Sequence, residues 1–235
     1  EKLHDALKES QQRQGEISAL LEGARAVLEY HEFTEAARSL FDSCKNLIGA
    51  TAGYVSLASK DGTQNEALFV DSGAFPCTVD PSLPMPIRGL RELAFRTGKA
   101  VFHNDFPKSD YIQFLPEGHS SLSNVLFAPL VIKGKAVGLL GLSNKSGVFT
   151  ENDARMASAF GDLAAIALVN IRAEEELQKA HDELEQRVLK RTRELAKTNE
   201  ELQEEITERK KAEKTLTEQS RILEAFFTAT ITPLV

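Results

Sequence analysis

Residues 124–142, NVLFAPLVIKGKAVGLLGL, decide the fold of this chain. They form two apolar runs on either side of the tight turn Lys-Gly-Lys at 133–135. Two such runs around a tight turn predict an antiparallel β-hairpin. Gly138 and Gly141 lie inside the second run, and a glycine within a strand indicates that another element approaches the backbone closely. The stretch therefore predicts the centre of an antiparallel sheet.

Three further strands are predicted upstream of the hairpin. Apolar runs bounded by turn residues indicate strands at 53–59, 66–71 and 100–103. The stretches 72–86 and 105–122 have no regular periodicity, and the first contains prolines that prevent regular structure. We therefore expect two long irregular segments next to the sheet.

Helices are predicted before and between these strands. Apolar residues at helical spacing indicate helices at 34–48 and 90–97, the first capped by Thr34 and both ended by a glycine. A further helical stripe covers residues 1–32, with its two glycines as weak points. The order of the elements indicates an α+β fold around an antiparallel sheet of about five strands.

The longest helical pattern runs from about residue 150 to about residue 229. Two stripes of residues spaced seven apart define a coiled-coil register along it. One stripe contains Phe160, Ala167, Glu174, His181, Val188, Leu195, Leu202, Arg209, Leu216 and Leu223, and the other contains Met156, Leu163, Asn170, Leu177, Leu184, Arg191, Thr198, Glu205, Ala212, Gln219 and Phe226. Polar residues interrupt both stripes, and each buried polar layer lowers stability while favouring one register.

A single helix could not bury this apolar stripe, whereas two parallel copies could. We therefore expect a parallel homodimer, in which the helix pair relays a signal from the globular part. A poorly packed seam suits such a relay, because its nearly equivalent arrangements can be biased by a few kcal/mol. The alternative interpretation is an isolated, solvated helix with ion pairs between residues four apart.

The composition excludes several classes of function. The 235 residues have a net charge of −7, which argues against nucleic acid or an anionic membrane as a partner. The two cysteines, Cys44 and Cys77, form no disulfide framework and fit a reducing, cytoplasmic compartment. No apolar run approaches the roughly 20 residues that a membrane-spanning helix needs. Because the sequence begins in mid-pattern at Glu1, we expect it to be part of a longer protein.

The residues after the hairpin resemble the signature of a known family. Asn144-Lys145, Phe149 and Asp153 match the N-K-(x)n-F-x3-D pattern of GAF domains, with Ala154 where members that bind cyclic nucleotides have glutamate. The resemblance assigns residues 33–170 to a GAF domain. It implies a sheet of five to six strands with helices on one face and a ligand cavity on the other. Domains of this family bind cyclic nucleotides, bilins, haem, small metabolites or nothing detectable, and they commonly dimerise through terminal helices.

The turn into the long helix has a structural and a ligand-gating interpretation. We expect Lys145 and Asp153 to form an ion pair that fixes the start of the helix to the end of the last strand. Thr150, with Asp153 three residues later, forms an N-cap arrangement. These expected contacts favour a structural role for the motif of Asn144, Lys145, Phe149 and Asp153.

A second resemblance lies farther along the helix. Residues 185–188, 191–195, 199–202 and 208–213 resemble the linker helices that precede PAS domains in sensor histidine kinases, and residues 222–235 are similar to the opening of a PAS domain. The resemblance implies part of a two-component phosphorelay. The domain order would be an N-terminal helix (1–32), a GAF sensor domain (33–170), a coiled-coil signalling helix (171–221) and a truncated PAS domain (222–235).

Together the resemblances imply a sensory and dimerisation module without catalytic residues. The GAF pocket would bind an unidentified small molecule, and the coiled coil would pass the change to PAS and kinase domains. The candidate pocket residues are polar groups of the irregular segments and of a strand start, namely Asp105, Tyr111, His119, Asn124 and Cys77. The alternatives are a ligand-free dimerisation and spacer module, and a GAF-type methionine sulfoxide reductase, which needs several pocket cysteines.

The residue pattern argues against the cofactors known in this family. His119 lies in the right kind of loop for a haem ligand, but an ordinary loop histidine explains it as well. The resemblance places bilin attachment near residues 116–119, where this chain has no cysteine, so we expect no covalent bilin on Cys77. No pair of cysteines or histidines has the spacing of zinc ligands.

Overall fold

The computed structural model describes residues 2–73, 76–80 and 83–230, which contain four α-helices and five strands. The helices are α1 (Lys2–Glu29), α2 (Phe33–Ile48), α3 (Leu90–Thr97) and α4 (Glu151–Thr230). The strands are β1 (Ala52–Ala58), β2 (Asn65–Asp71), β3 (Val101–His103), β4 (Val125–Ile132) and β5 (Lys135–Ser143). Two 3₁₀ helices, Phe106–Lys108 and Asp110–Phe114, lie between β3 and β4. The predicted α+β class is confirmed.

The strands form one antiparallel sheet in the order β2-β1-β5-β4-β3. β4 and β5 form the predicted hairpin at its centre. A Cβ atom at Gly138 would lie 2.5 Å from the carbonyl oxygen of Ser56, and one at Gly141 would lie 2.7 Å from the ring of Tyr54. Both glycines therefore allow the close approach that the sequence predicted.

Strand alternation divides the core between the two faces of the sheet. On one face, Leu126 and Leu140 pack in a cluster with α1, α2 and the first turns of α4. On the other face, Val125 and Phe127 pack with residues of α3 and of the first 3₁₀ helix. The long helices thus cover one face, and short elements cover the face that contains the cavity described below.

α1 runs without interruption through Gly15 and Gly23, the two glycines that the sequence indicated as weak points. A Cβ atom there would lie 3.0 Å from Leu40 of α2 and 3.0 Å from Leu163 of α4. The absence of a side chain at Gly23 allows α1 to pack closely against both helices, and this packing compensates for the poor helix propensity of glycine.

α2 begins one residue before the predicted cap. Its N-cap is Glu32, whose side chain makes no capping hydrogen bond, and Phe33 already packs in the core. The prediction that Thr34 caps this helix is therefore wrong, because the buried Phe33 is part of its first turn. The predicted end is confirmed, since Gly49 adopts a left-handed conformation with φ of 79°.

The turn from β5 to α4 contains the expected ion pair and cap. Nζ of Lys145 lies 2.5 Å from Oδ2 of Asp153. The backbone N–H of Asp153 donates to Oγ1 of Thr150 at 3.2 Å, and the backbone N–H of Thr150 donates to the Asp153 carboxylate at 2.7 Å. Asn144 adopts positive φ of 57°, and its side-chain oxygen accepts a hydrogen bond from the backbone of Ser123 at 2.8 Å. Phe149 is buried in the core. The motif residues therefore make structural contacts.

α4 belongs to two compact units, and the first of them ends at Glu174. In this unit Phe160 and Ala167 are fully buried, and Met156 and Leu163 pack against the same core. The first layers of the two stripes therefore belong to the core of the domain, before the coiled-coil segment that the sequence predicts at residues 171–221. In the second unit every side chain described is exposed.

By length and composition, α4 is also apolar enough in one 18-residue window to cross a membrane. More than half of that window is buried inside the protein. This finding corrects the expectation that no segment approaches a membrane span. Burial in the domain core explains the apolar residues equally well, since core helices of soluble proteins share this composition.

Candidate functional site

A cavity of about 130 Å³ lies on the sheet face that the long helices leave free. The sheet contributes Val125 and Phe127, and α3 and the 3₁₀ helices contribute further walls. The apolar lining includes Leu90, Phe106, Phe114, Leu122, Val125 and Phe127. Since a cavity of about 150 Å³ accepts benzene in another protein, this one has room for a small organic molecule.

Tyr54 lines the cavity from β1, where Gly141 on the neighbouring strand leaves room for its ring. Its hydroxyl is buried beside the Arg91 guanidinium and has no hydrogen-bond acceptor within the described residues. Burial raises the pKa of Tyr54, and the positive charge of nearby Arg91 opposes that rise. A buried hydroxyl whose proton has no acceptor is costly, so Tyr54 is a candidate ligand contact.

Two arginines line the same cavity. Arg88 donates a hydrogen bond to the carbonyl oxygen of Phe114 at 3.1 Å, and its guanidinium lies 5.1 Å from the centre of the Phe114 ring. Arg91, in the first turn of α3, is half-buried and forms no ion pair with the residues that the structure describes. Arg91 therefore supplies a positive charge that no described carboxylate neutralises.

Asp71 also lines the cavity, but it is already paired. Nζ of Lys45 lies 2.5 Å from its Oδ2 atom, and the backbone N–H of Gly73 donates to its Oδ1 atom at 2.9 Å. The hydrogen bond from Lys45 is the main reason why the pKa of Asp71 is lowered. Asp71 is therefore an ionised group whose charge Lys45 balances.

The structure brings three of the five candidate pocket residues, Tyr111, His119 and Cys77, to the cavity. Nδ1 of His119 lies 2.8 Å from the carbonyl oxygen of Ser120, so this nitrogen is the donor and Nε2 is left available. The Tyr111 ring meets the edge of His103, with 6.2 Å between ring centres. Cys77 is exposed at the cavity wall.

Asp105 and Asn124 lie outside the cavity lining, which corrects their assignment to the pocket. Asp105 is exposed and pairs with Lys108 at 2.8 Å. Asn124 is buried, and its side chain donates to the carbonyl oxygens of Lys145 at 3.1 Å and Gly147 at 2.7 Å. Asn124 therefore holds the turn between β5 and α4, because its amide satisfies backbone groups that have no strand partner.

Sequence reasoning missed Tyr54, Arg88 and Arg91. Tyr54 alternates with the core residue Val55, so strand periodicity predicts that it faces away from the long helices. Arg91 lies three residues before the buried Ala94, on the face of α3 that packs. A charged residue on a packed helix face was the available signal. The position of α3 over β4 and β5 depends on tertiary contacts that the local pattern does not contain.

Cys44 lies in the other core, between α2 and the sheet. Burial is the main cause that raises the pKa of its thiol, and the charge of Asp153 adds to it. Cys44 is therefore an unreactive core residue. Among the described residues there is no cluster of three His, Cys, Asp or Glu side chains that could hold a metal ion. Haem and bilins are far larger than a cavity of about 130 Å³.

A model of the GAF domain family matches residues 31–169, which is more than half of the chain. The chain therefore belongs to the GAF family, as the motif around Asn144 and Asp153 predicted. No curated protein matches the sequence.

Solved structures have the same fold at low sequence identity. The GAF domain of a phosphoenolpyruvate-protein phosphotransferase from Coxiella burnetii is 15% identical, with a TM-score of 0.59 over 69% of this chain and 98% of that one. The GAF domain of a putative sensor histidine kinase from Pseudomonas syringae pv. tomato is 15% identical, with a TM-score of 0.51 over 74% and 99%. A free methionine-R-sulfoxide reductase from Neisseria meningitidis is 16% identical, with a TM-score of 0.54 over 68% and 91%.

Proposed function

We propose that this chain is the sensory and dimerisation section of a sensor histidine kinase. Membership of the GAF family supports the broad class, a signalling or sensory module. The resemblance of residues 185–213 to PAS linkers supports the finer assignment to a kinase with a downstream PAS domain. The end of the PAS resemblance, residues 231–235, lies outside the described residues.

The observation that supports a relay most directly is the position of β4 between the cavity and α4. Phe127 lines the cavity. A Cβ atom at Gly161 of α4 would lie 2.8 Å from the carbonyl oxygen of Pro129 and 3.9 Å from Cβ of Ala128. Because packed interiors have few voids, a ligand that displaces Phe127 would also displace the strand against α4. The ligand would shift the balance of states only by binding one of them more tightly.

The second unit of α4 supports a homodimer as the output of this relay. Leu177, Leu184, Val188, Leu195 and Leu202 continue the seven-residue stripes and are between 48% and 72% exposed. Full burial of one such side chain contributes about 1.5–3 kcal/mol to the free energy of association. A parallel partner would bury all of them and would place two downstream PAS domains side by side.

We propose that the chain itself is not an enzyme. A methionine sulfoxide reductase of this family would need several cysteines in the pocket. Only Cys77 of the two cysteines lines the cavity, whereas Cys44 lies in the core between the sheet and α2. We further place the module in the cytoplasm, with its kinase output in the same compartment.

The dimer is tested by sedimentation equilibrium at tens of micromolar protein. We expect the unmodified chain to be a dimer and the double variant Leu195→Asp, Leu202→Asp to be a monomer, since each substitution puts paired charges into a buried layer. Leu189→Asp is the matched control, because Leu189 is 46% exposed and lies outside both stripes.

A monomeric unmodified chain with intact helix content would overturn the dimer. If Leu189→Asp weakened the dimer as much as the double variant does, that result would also contradict the proposal, since the stripe would then not be the contact surface. Circular dichroism of all three proteins separates loss of the dimer from loss of the helix.

A further inference from the structure

We propose that the cavity binds a small carboxylate with a compact apolar body, held by Arg91 and Tyr54. This inference rests on the proposed sensory function, because it assigns a chemical class to the ligand of the same cavity. The carboxylate would accept hydrogen bonds from both side chains, and the apolar part would occupy the space between the aromatic and aliphatic walls.

The charge balance of the cavity favours an anion. Arg91 has no acidic partner among the described residues, and the carboxylate that shares its cavity, Asp71, is paired with Lys45 at 2.5 Å. A guanidinium is permanently charged and forms two parallel hydrogen bonds with a carboxylate. The apolar walls lower the local polarity and so strengthen such an interaction.

The Tyr54 hydroxyl provides a second donor beside Arg91. It is buried, and Arg91, the side chain placed to bond it among the described residues, has donors alone, so the phenol proton has no acceptor there. A carboxylate oxygen would satisfy this hydroxyl. Tyr54 and Arg91 come from different elements, β1 and α3, so a ligand between them would bridge the sheet and the helix above it.

The volume and the walls limit the remainder of the ligand. A cavity of about 130 Å³ accommodates a body close to the size of a benzene ring, since about 150 Å³ accepts benzene elsewhere. Leu90, Phe106, Phe127 and Leu122 offer only apolar contact to that body. A free phosphate fits less well, because it has no apolar body to fill the space between these walls.

The test is isothermal titration calorimetry of the purified chain with benzoate, with its neutral isostere benzamide and with inorganic phosphate. We expect benzoate to bind at least tenfold more tightly than either of the other two. Arg91→Met should weaken benzoate binding at least tenfold, and Tyr54→Phe should weaken it severalfold while retaining the ring. Arg96→Met is the matched control, since Arg96 is exposed in the last turn of the same helix.

Equal binding of benzoate and benzamide, or unchanged benzoate binding by Arg91→Met, would overturn the carboxylate assignment and leave a sensory cavity of another chemistry. No binding of benzoate or of 3-methylbutanoate, a smaller apolar carboxylate, would also overturn it. Native mass spectrometry of the chain purified from its own cells distinguishes failure of the carboxylate assignment from failure of the sensory function. A different bound molecule there would refute only the carboxylate, whereas an empty protein with no ligand effect on kinase output would refute the sensory function. Thermal unfolding of each variant verifies that it is folded.

Discussion

Asp153 connects the sheet to α4 through one carboxylate. It accepts hydrogen bonds from Nζ of Lys145 at 2.5 Å, from the backbone of Thr150 at 2.7 Å and from Oγ1 of Thr150 at 3.0 Å. The side chains of Lys145 and Asp153 are only 18% and 11% exposed. Such a pair is screened less than a surface salt bridge, and removing one member leaves a buried charge.

A double-mutant cycle measures this connection. We expect Lys145→Met to lower the free energy of unfolding by about 1–2 kcal/mol, because the Asp153 carboxylate keeps its Thr150 donors. Asp153→Ala should cost about 2–3 kcal/mol, since it removes the ion pair and a capping partner together. The double variant should be no less stable than Asp153→Ala alone. Urea unfolding gives the free energy of unfolding of the unmodified protein and of the three variants. Fully additive losses would mean that the two side chains do not interact.

At the scale of elements, local patterns predicted most of the sheet and helices. The β4–β5 hairpin was predictable because its turn and both apolar runs are adjacent in sequence. α3 was predicted with the observed bounds because Gly98 ends it in a left-handed conformation, with φ of 64°. The start of α2 was not predicted correctly, because the burial of Phe33 depends on helices that pack against it from distant parts of the chain.

The candidate site was predictable only in part, for the same reason. Tyr111, His119 and Cys77 reach the cavity from the two irregular segments that the sequence predicted next to the sheet. Asn124 was assigned to the pocket as a polar residue at a strand start, but its side-chain amide donates hydrogen bonds to backbone carbonyls of the turn before α4. The proximity of Tyr54 to Arg91 depends on long-range packing, which no local period encodes.

The two glycines of α1 provide a test of element packing within one helix. At Gly15 a new Cβ atom would have no heavy atom within 4 Å, so Gly15→Ala should stabilise the protein by about 0.5–1 kcal/mol through helix propensity. At Gly23 the Cβ atom would lie 3.0 Å from Leu40 and 3.2 Å from Phe160, both fully buried. Gly23→Ala should therefore destabilise by about 0–2 kcal/mol, since overpacking opposes the gain in propensity.

Thermal and urea unfolding of the two variants, side by side, measure this difference. Both variants make the same substitution in the same helix, so the change in helix propensity is the same. A difference in sign between the two changes in the free energy of unfolding would therefore come from packing. A stabilisation by Gly23→Ala equal to that by Gly15→Ala would show that α1 is not packed tightly against α2 and α4.

On the scale of the whole molecule, α4 serves two roles along its length. Its first turns are part of the domain core, where Phe160 and Ala167 are fully buried. In its second unit the side chains that the structure describes are all exposed, with apolar residues at seven-residue intervals. The core therefore fixes the start of the helix, and the proposed partner has to cover the remainder.

The proposed parallel orientation predicts a specific cross-link. In a parallel, in-register dimer Leu202 of each copy lies opposite Leu202 of the other, so Leu202→Cys in a Cys77→Ser background should oxidise rapidly to a disulfide-linked dimer. Lys197→Cys lies outside both stripes and should cross-link far more slowly. A non-reducing gel after mild oxidation gives the result, and no dimer band for Leu202→Cys would contradict the parallel arrangement.

The contrast between the two thiols also makes the cavity accessible to spectroscopy. Burial raises the pKa of Cys44 and shields it in the core, whereas Cys77 is exposed on the cavity wall. A maleimide dye should therefore label the native protein at a single position without any engineered cysteine. Its emission would change when a molecule displaces water beside Cys77, so a compound collection could be screened for ligands by fluorescence alone.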